Sequence, residues 1–530
     1  MRLRSIELYR VDLAFRSPVI TATGAHTRRP LAFVRVVAEE AEGWGECAAL
    51  ADGTCVDPPF DAVWTALVES GVGRLLAASA ARDGELPLAA QVPALFGSGA
   101  VAQFVAATLE MAVLDAELRA SGTPLWSRLG VEEAVATAGV PIGHLVGIPV
   151  DRSIDALVAR VDELVRAART ARVRVKIEPG WDTEPLRALR DAFPRLVLQA
   201  DANASYRWNG ADPGGGSTGS LDDAARLVEL DGLGLSCIEQ PLPPGDLAAL
   251  AQLAARLGTP VALDESLTSF GRVRDALRYG ACAVACLKPA RLGGLLRAKA
   301  AVSVCKESGA GAFVGGFFET GLARAANAAL AGLPGFTLPG DLSDPGEYLA
   351  QPARVAVYPG LDGALVRPFG GPGLAPPPSL HPDELVRTWQ AARTQRVTGP
   401  GASTGPGAST GTGVQAELSG RAPPPAPATY NRVLMQRFMV ERRLRDVHVR
   451  LVRAREELAV LDEQLAAVSE EAEDARLRSL VAETPLAAHE YAEVQRHVDA
   501  MVRARAALSA TVEGLVRRRD ELLMNVGKGS

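Results

Sequence analysis

Five charged residues, Lys176, Asp201, Glu239, Asp264 and Lys288, stand at the ends of short apolar runs, in the segments RVRVKIEPGWD, LVLQADAN, LSCIEQPL, PVALDES and AVACLKPARLGG. Three carboxylates brought to one point repel unless a cation lies among them, and an all-oxygen set suits a hard divalent ion such as Mg²⁺. An ammonium beside such an ion is disfavoured, which makes neutral amine available to take a proton. The ion would also stabilise the enediolate formed when a proton leaves the carbon beside a carboxylate. Taken singly, each residue is an ordinary strand-end ion-pair partner. All five in step favour metal-assisted proton abstraction.

The elements that must position them follow from the intervals, which are 25, 38, 25 and 24 residues. A strand, a helix and two connections take roughly 30 residues in a barrel of eight such units, and the chemistry of that fold collects at the C-terminal rim of its strands. The spacing therefore predicts a (β/α)-barrel with the five residues on its mouth.

At these positions the chain resembles the enolase superfamily, in the muconate-lactonising subgroup with paired lysines. It is most similar there to the branch of o-succinylbenzoate synthases and N-succinylamino acid racemases. The resemblance is carried by RPLAFVRVVAEEAEGWGECAAL (29–50), ATLEMAVLDAELRASGTPL (107–125), the five strand-end motifs, GGFFETGLARAANAALA (315–331) and LPGDLS (338–343). It implies an enolase-type, modified TIM barrel closed by an α+β capping domain. It also implies Mg²⁺ on Asp201, Glu239 and Asp264, with Lys176 and Lys288 as the acid/base pair. Arg174, Asn203, Gly315, Gly316, Glu319 and Thr23 are implied substrate-side residues. The implied reaction is Mg-dependent dehydration of 2-succinyl-6-hydroxy-2,4-cyclohexadiene-1-carboxylate to 2-succinylbenzoate in menaquinone biosynthesis. Two-base racemisation of an N-succinylamino acid is the alternative.

Some positions depart from the family pattern. Arg174 stands where a lysine is usual; it keeps the charge but cannot deprotonate. Leu145, in PIGHLVGIP, replaces an expected serine, while His144 beside it reads as a packed strand histidine on the other face. The segment NGADPGGGSTGS reads as a flexible rim insertion. Of the histidines in the enzyme portion, His26, His144 and His381, none follows Lys288 on a late strand, so lysine chemistry is preferred over a histidine base.

Composition bounds the rest. The 530 residues exceed one barrel, the net charge of −6 gives no reason to expect nucleic acid, and no run is apolar enough to span a membrane. The N-terminus alternates apolar and polar residues like a strand rather than a signal peptide, and the six cysteines, Cys282 and Cys286 included, read as small buried hydrophobes, which predicts the cytoplasm.

The chain organises as a capping domain over 1–128, a barrel over 129–344 and a return to the cap over 345–395 that ends in a helix, HPDELVRTWQAARTQ. The cap loops ITATGAHT and GWGECAAL are expected to close over the mouth, with Gly43 to Gly45 as a turn. A Gly/Pro/Ser-rich linker over 396–430 is followed by a helical hairpin over 431–525. Leu444, Val447, Leu451, Ala454, Leu458, Leu461, Leu465 and Val468 step by three and four, which is a heptad seam. That hairpin predicts a homo-oligomer. It also leaves a reading of another class, a coiled-coil assembly protein with the barrel as scaffold, which the intact set of five residues disfavours. If the hairpin is separable from the chemistry, cutting after Thr398 should leave kcat/KM within a few-fold while abolishing association in light scattering; collapse of both the rate and the fold of the 1–398 fragment would refute it.

Overall fold

The computed structural model describes residues 1–391 apart from 22–23, 168, 209–222, 353–354 and 359, together with positions 495, 509, 514 and 517. The expected linker and rim insertion, Thr23, and the expected helical hairpin apart from those four positions lie outside these residues. The chain divides into two compact units, Met1–Gly399 and Pro400–Ser530, and the first holds all five strand-end residues. Among the described residues no helix is long and apolar enough to cross a membrane.

The strands of the first unit are β1 (Leu3–Thr21), β2 (Gly24–Ala38), β3 (Glu42–Cys47), β4 (Val140–Val146), β5 (Arg172–Lys176), β6 (Leu198–Asp201), β7 (Ile238–Glu239), β8 (Val261–Leu263), β9 (Val284–Leu287), β10 (Gly311–Val314), β11 (Gly340–Asp341), β12 (Leu361–Asp362), β13 (Leu365–Val366) and β14 (Leu385–Gln390). Strands β4 to β10 form a continuous parallel ladder, each hydrogen-bonded to the next, and β11 pairs with β4. The backbone N–H groups of Thr337 and Leu338 donate to Ala312 O of β10, which brings the segment before β11 round to close the ring. This is an eight-stranded parallel barrel with the helices outside.

The sequence of β5, Arg-Val-Arg-Val-Lys, shows how the barrel is filled. Val173 and Val175 are fully buried under the outer helices, while the alternate positions, Arg172, Arg174 and Lys176, point into the barrel. Arg172 donates to Gln199 and to Asp341 (2.8 Å), and both arginines stack over Phe313. The interior is therefore charged where barrels of this kind are commonly layered with branched apolar side chains. Gly143 of β4 leaves the room that Arg172 takes: a Cβ there would lie 2.2 Å from the guanidinium.

The capping sheet runs β14-β1-β2-β3, all antiparallel, and rests on the helix Ala100–Ala120. That helix is buried on almost every side, being enclosed by cap and barrel together. Gly43 and Gly45 lie in β3 rather than in a turn. Each is required by the helix: a Cβ at Gly43 would stand 2.2 Å from Ala112 O, and one at Gly45 2.1 Å from Thr108 O. The expected C-terminal helix is also corrected. Leu385–Gln390 is a strand, because β1 presents an unpaired edge and Val386, Thr388 and Trp389 suit a strand better than a helix.

Helix termini show how cap and barrel are joined. Ser153, Asp182, Asp246 and Ser269 each accept from a backbone N–H at the start of their own barrel helix. The helices Leu295–Glu307 and Gly321–Ala331 have no side-chain cap of their own. Glu110 of the cap accepts from Leu295 N (3.1 Å) and Leu296 N (2.9 Å), and Glu46 of the cap accepts from Thr320 N (2.8 Å), Thr320 Oγ1 (2.7 Å) and Ala323 N (3.1 Å). Burial, resisted by those two N–H groups, pushes Glu110 from 4.5 up to about 7. A raised carboxyl favours the folded state while it is protonated, so its contribution is complete below about pH 4.5 and is lost as pH rises through about 7, a swing on the order of 3 kcal/mol. Urea denaturation at about pH 5 and pH 8 should show a larger loss of stability in the parental protein than in Glu110→Gln; equal pH dependence of the two would contradict this assignment.

Candidate active site

The strand ends bring the five residues together. Lys176 ends β5, Asp201 ends β6 and Glu239 ends β7, and they are neighbours in the ladder: Lys176 pairs with Asp201, and Asp201 with Glu239. Asp264 follows β8, and Lys288 follows β9. Because β5 and β9 are four strands apart in a ring of eight, the lysines rise from opposite walls, with the three carboxylates on the arc between them.

Each carboxylate has a cation. Lys176 Nζ donates to Asp201 Oδ2 (2.8 Å) and also to Asn203 Oδ1. Lys288 Nζ donates to Asp264 Oδ2 (2.8 Å). Arg174 Nη1 donates to both oxygens of Glu239 (2.6 and 2.8 Å), and Nη2 donates to Asp341. Arg291 Nη1 donates to Asp264 Oδ1 (2.5 Å), while its other nitrogens donate to both oxygens of Asp57 in the cap (2.7 Å each). Burial would raise Asp264, but Arg291 and Lys288 hold it well below the usual carboxylate range. Glu239 behaves oppositely: burial, resisted by Arg174 and reinforced by Asp201 and Asp264, pushes it up to about 8. Lys288 departs from the expected depression. Burial alone would lower it, yet Asp264 outweighs burial and holds the ammonium above its ordinary value.

The other expected site residues separate into groups. Arg174 and Asn203 belong to the cluster, Asn203 also donating to Glu265 Oε1 (2.9 Å). Gly315 and Gly316 make room for side chains: a Cβ at Gly315 would lie 2.8 Å from Lys288 Cε, and one at Gly316 3.1 Å from Glu319. Glu319 is buried in ion contact with Arg324 (3.0 Å) and accepts from Phe317 N (2.9 Å). It does not cap the following helix; Glu46 of the cap has that place. Leu145 shares a register with Arg174 and so faces inward, 37% exposed, while His144 faces outward with Nε2 3.1 Å from Glu347 Oε1. The cysteines are buried as expected except Cys55, which is exposed.

Sequence reasoning missed Asp57, Gln199, Gln240, Arg291 and Asp341. The alternation of β5 was a signal for Arg172, and Asp341 lies in LPGDLS, but nothing local marks Asp57 as a partner of a residue 234 positions away. Gln240 Oε1 accepts from Asp264 N (3.2 Å) and Ser266 N (3.0 Å) and so holds the turn that presents Asp264. Asn203, Ala204, Gln240 and Phe318 have φ of 40°, 62°, 38° and 55°, a concentration of left-handed backbone on one rim.

The donor set fits a hard divalent cation. Oxygens of Glu239 and Asp264 and the sulfur of Cys286 lie within 4.8 Å of one another, and Asp201 is the ladder neighbour of Glu239. Burial first, then Asp264 and Glu239, drive the Cys286 thiol well above its ordinary value, so it stays protonated and a poor ligand. The oxygens remain, and Glu239, raised first by burial and then by Asp201 and Asp264, sits where a dication would offset the cost of its charge.

Comparison with known proteins agrees with this geometry. Residues 156–375 match the family model described as enolase C-terminal domain-like. An N-succinylamino acid racemase of Amycolatopsis sp is 38% identical over 383 residues, covering 72% of this chain and 96% of that protein. An o-succinylbenzoate synthase of Geobacillus kaustophilus is 32% identical over 378 residues, 71% and 93% of the two chains. A solved enolase-superfamily member from Enterococcus faecalis superposes with a TM-score of 0.62 at 27% identity, covering 74% of this chain and all of the other.

The Arg174 contacts generate a stability test. Arg174→Met would leave the buried Glu239 and Asp341 short of a cation and should cost about 3–5 kcal/mol, whereas Arg174→Lys, which keeps the charge, should cost less. Urea denaturation measures both, and a loss below about 1 kcal/mol for Arg174→Met would contradict a desolvated pairing.

Proposed function

The chain belongs to the enolase superfamily, and from that membership we propose that it is an o-succinylbenzoate synthase. On this reading it dehydrates 2-succinyl-6-hydroxy-2,4-cyclohexadiene-1-carboxylate to 2-succinylbenzoate, a step of menaquinone biosynthesis. The observation that carries the reading is the placement of two lysines on opposite walls with three buried carboxylates between them.

Asp201, Glu239 and Asp264 would hold Mg²⁺, which when bound supplies positive charge beside the substrate carboxylate. Lys176, 28% exposed, is the more accessible lysine and is the base on this reading. Its neutral amine takes the proton from the carbon next to the carboxylate. It then returns that proton to the departing hydroxyl, which leaves as water, so that one C–H and one C–O bond break and the ring becomes aromatic. Lys288, 11% exposed against Asp264, stays cationic and faces the developing negative charge. Asn203 orients the Lys176 amine.

A second reading, N-succinylamino acid racemase, is favoured by the name of the Amycolatopsis relative and by the opposed lysines, each of which would exchange the α-proton on its own face. Both readings take a small carboxylate substrate in the cytoplasm, and self-association through residues 431–525 is part of the same proposal.

Lys176→Ala should lose several orders of magnitude in kcat with the fold intact, because the proton-transfer group itself is gone. Near-parental dehydratase turnover in that variant would remove Lys176 from its role. Lys288→Arg separates the readings: a fixed cation can sustain part of the dehydration, while arginine cannot shed a proton for racemisation. NMR of deuterium exchange into both enantiomers of an N-succinylamino acid reads this out, and two-sided exchange surviving in Lys288→Arg would exclude the two-base scheme.

A further inference from the structure

The two lysines are held by different means. Among the described residues Lys176 is oriented by the polar barrel groups Asp201 and Asn203. Lys288 has one carboxylate, Asp264, and an aromatic ring: its Nζ stands 4.7 Å from the centroid of Phe317. Its stem is confined as well, since a Cβ on Gly315 would come within 2.8 Å of Cε. Positions 315 and 317 thus bound one side of the same long side chain.

Phe317 is in turn held by the cap. Arg29, a fully buried cap residue, donates to Phe317 O (3.1 Å) as well as to Ala48 O and Ala49 O in the cap. The ring of Phe104, on the cap helix Ala100–Ala120, meets the Phe317 ring edge-to-face at 5.5 Å. Arg291, which joins Asp264 to Asp57, also lies over that ring, at 5.5 Å.

We propose that Phe317 is a positioning residue, whose ring face sets where the Lys288 ammonium stands and so carries the seating of the cap to one face of the reaction only. An ammonium is drawn to the negative face of an aromatic ring, and the attraction strengthens when both are withdrawn from water. One of its three protons goes to Asp264 and the ring covers a second side, which leaves the third aimed into the mouth. Without the ring a four-carbon stem has several rotamers, and Lys288 would meet substrate in a fraction of them.

The exchange arm of the test rests on the second reading, proton exchange by each lysine on its own face; a second arm does not. Phenylalanines carrying one, two and three ring fluorines at position 317 nearly keep the shape while weakening the π face. For the enantiomer whose exchange is abolished in Lys288→Ala, the rate should fall stepwise, by roughly tenfold at three fluorines, the equivalent of about 1.4 kcal/mol. Exchange of the opposite enantiomer, through Lys176, should hold within about twofold. Equal falls on both faces, or no fall on either, would overturn the proposal.

The second arm uses the substrate-free protein. The chain contains five lysines, Lys176, Lys288, Lys299, Lys306 and Lys528, so ε-¹³C-lysine labelling gives an assignable spectrum. The Lys288 εCH₂ protons should resonate upfield from the ring current and return toward the positions of Lys299 and Lys306 in Phe317→Leu. An identical shift in parental protein and variant would overturn the proposal, whereas absence of all exchange in the parental protein would count against the two-base reading and leave this arm decisive.

Discussion

Three carboxylates buried on adjacent strands are a liability that the rest of this barrel is arranged to offset. Two like charges about 4 Å apart repel by about 4 kcal/mol even at the effective dielectric of a protein surface. Glu239, between the other two, is reluctant to ionise, first because it is buried and then because Asp201 and Asp264 repel its charge. Lys176, Arg174, Lys288 and Arg291 each donate to one of the three, and Arg174 is anchored by Asp341, which Arg172 also holds. The polar barrel interior is the cost of assembling that site, and Phe313 beneath the two arginines supplies the apolar surface on which they stack.

Much of this was legible along the chain because barrel chemistry sits at strand ends and strands recur at a regular interval. The alternation in Arg172–Lys176 could be read directly, since period two places all three cations on one face. Asp57 and Arg291 could not be paired that way, nor Glu46 with Thr320 and Glu110 with Leu295. Those contacts join segments hundreds of positions apart and exist only once the cap is seated. The segment expected as a terminal helix failed for a related reason: its conformation is set by the open edge of β1, which local propensity does not contain. Gly43 and Gly45 look like turn residues and are strand residues, because a helix passes within contact of their backbone.

Cap and barrel share the site unequally. Among the described residues Lys176 is held by barrel groups, whereas the wall that carries Lys288 is reached by Asp57, Arg29 and Phe104 of the cap. Changes in the cap therefore have a route to Lys288 through Phe317 and Arg291.

The pairing of β1 with β14, Ser5 opposite Gln390, has a consequence for how the chain comes together. Strand β1 cannot complete its sheet until the whole barrel that separates it from β14 has been synthesised, and the two barrel helices capped by Glu46 and Glu110 wait on a cap that is itself unfinished. Closing so long a loop adds little to the equilibrium cost, because the entropy grows only with the logarithm of length, but contacts of such separation slow the search. An incomplete chain would expose the edge of β1 as an open template for pairing with a neighbour. The late-made β14 is also the strand that removes that hazard.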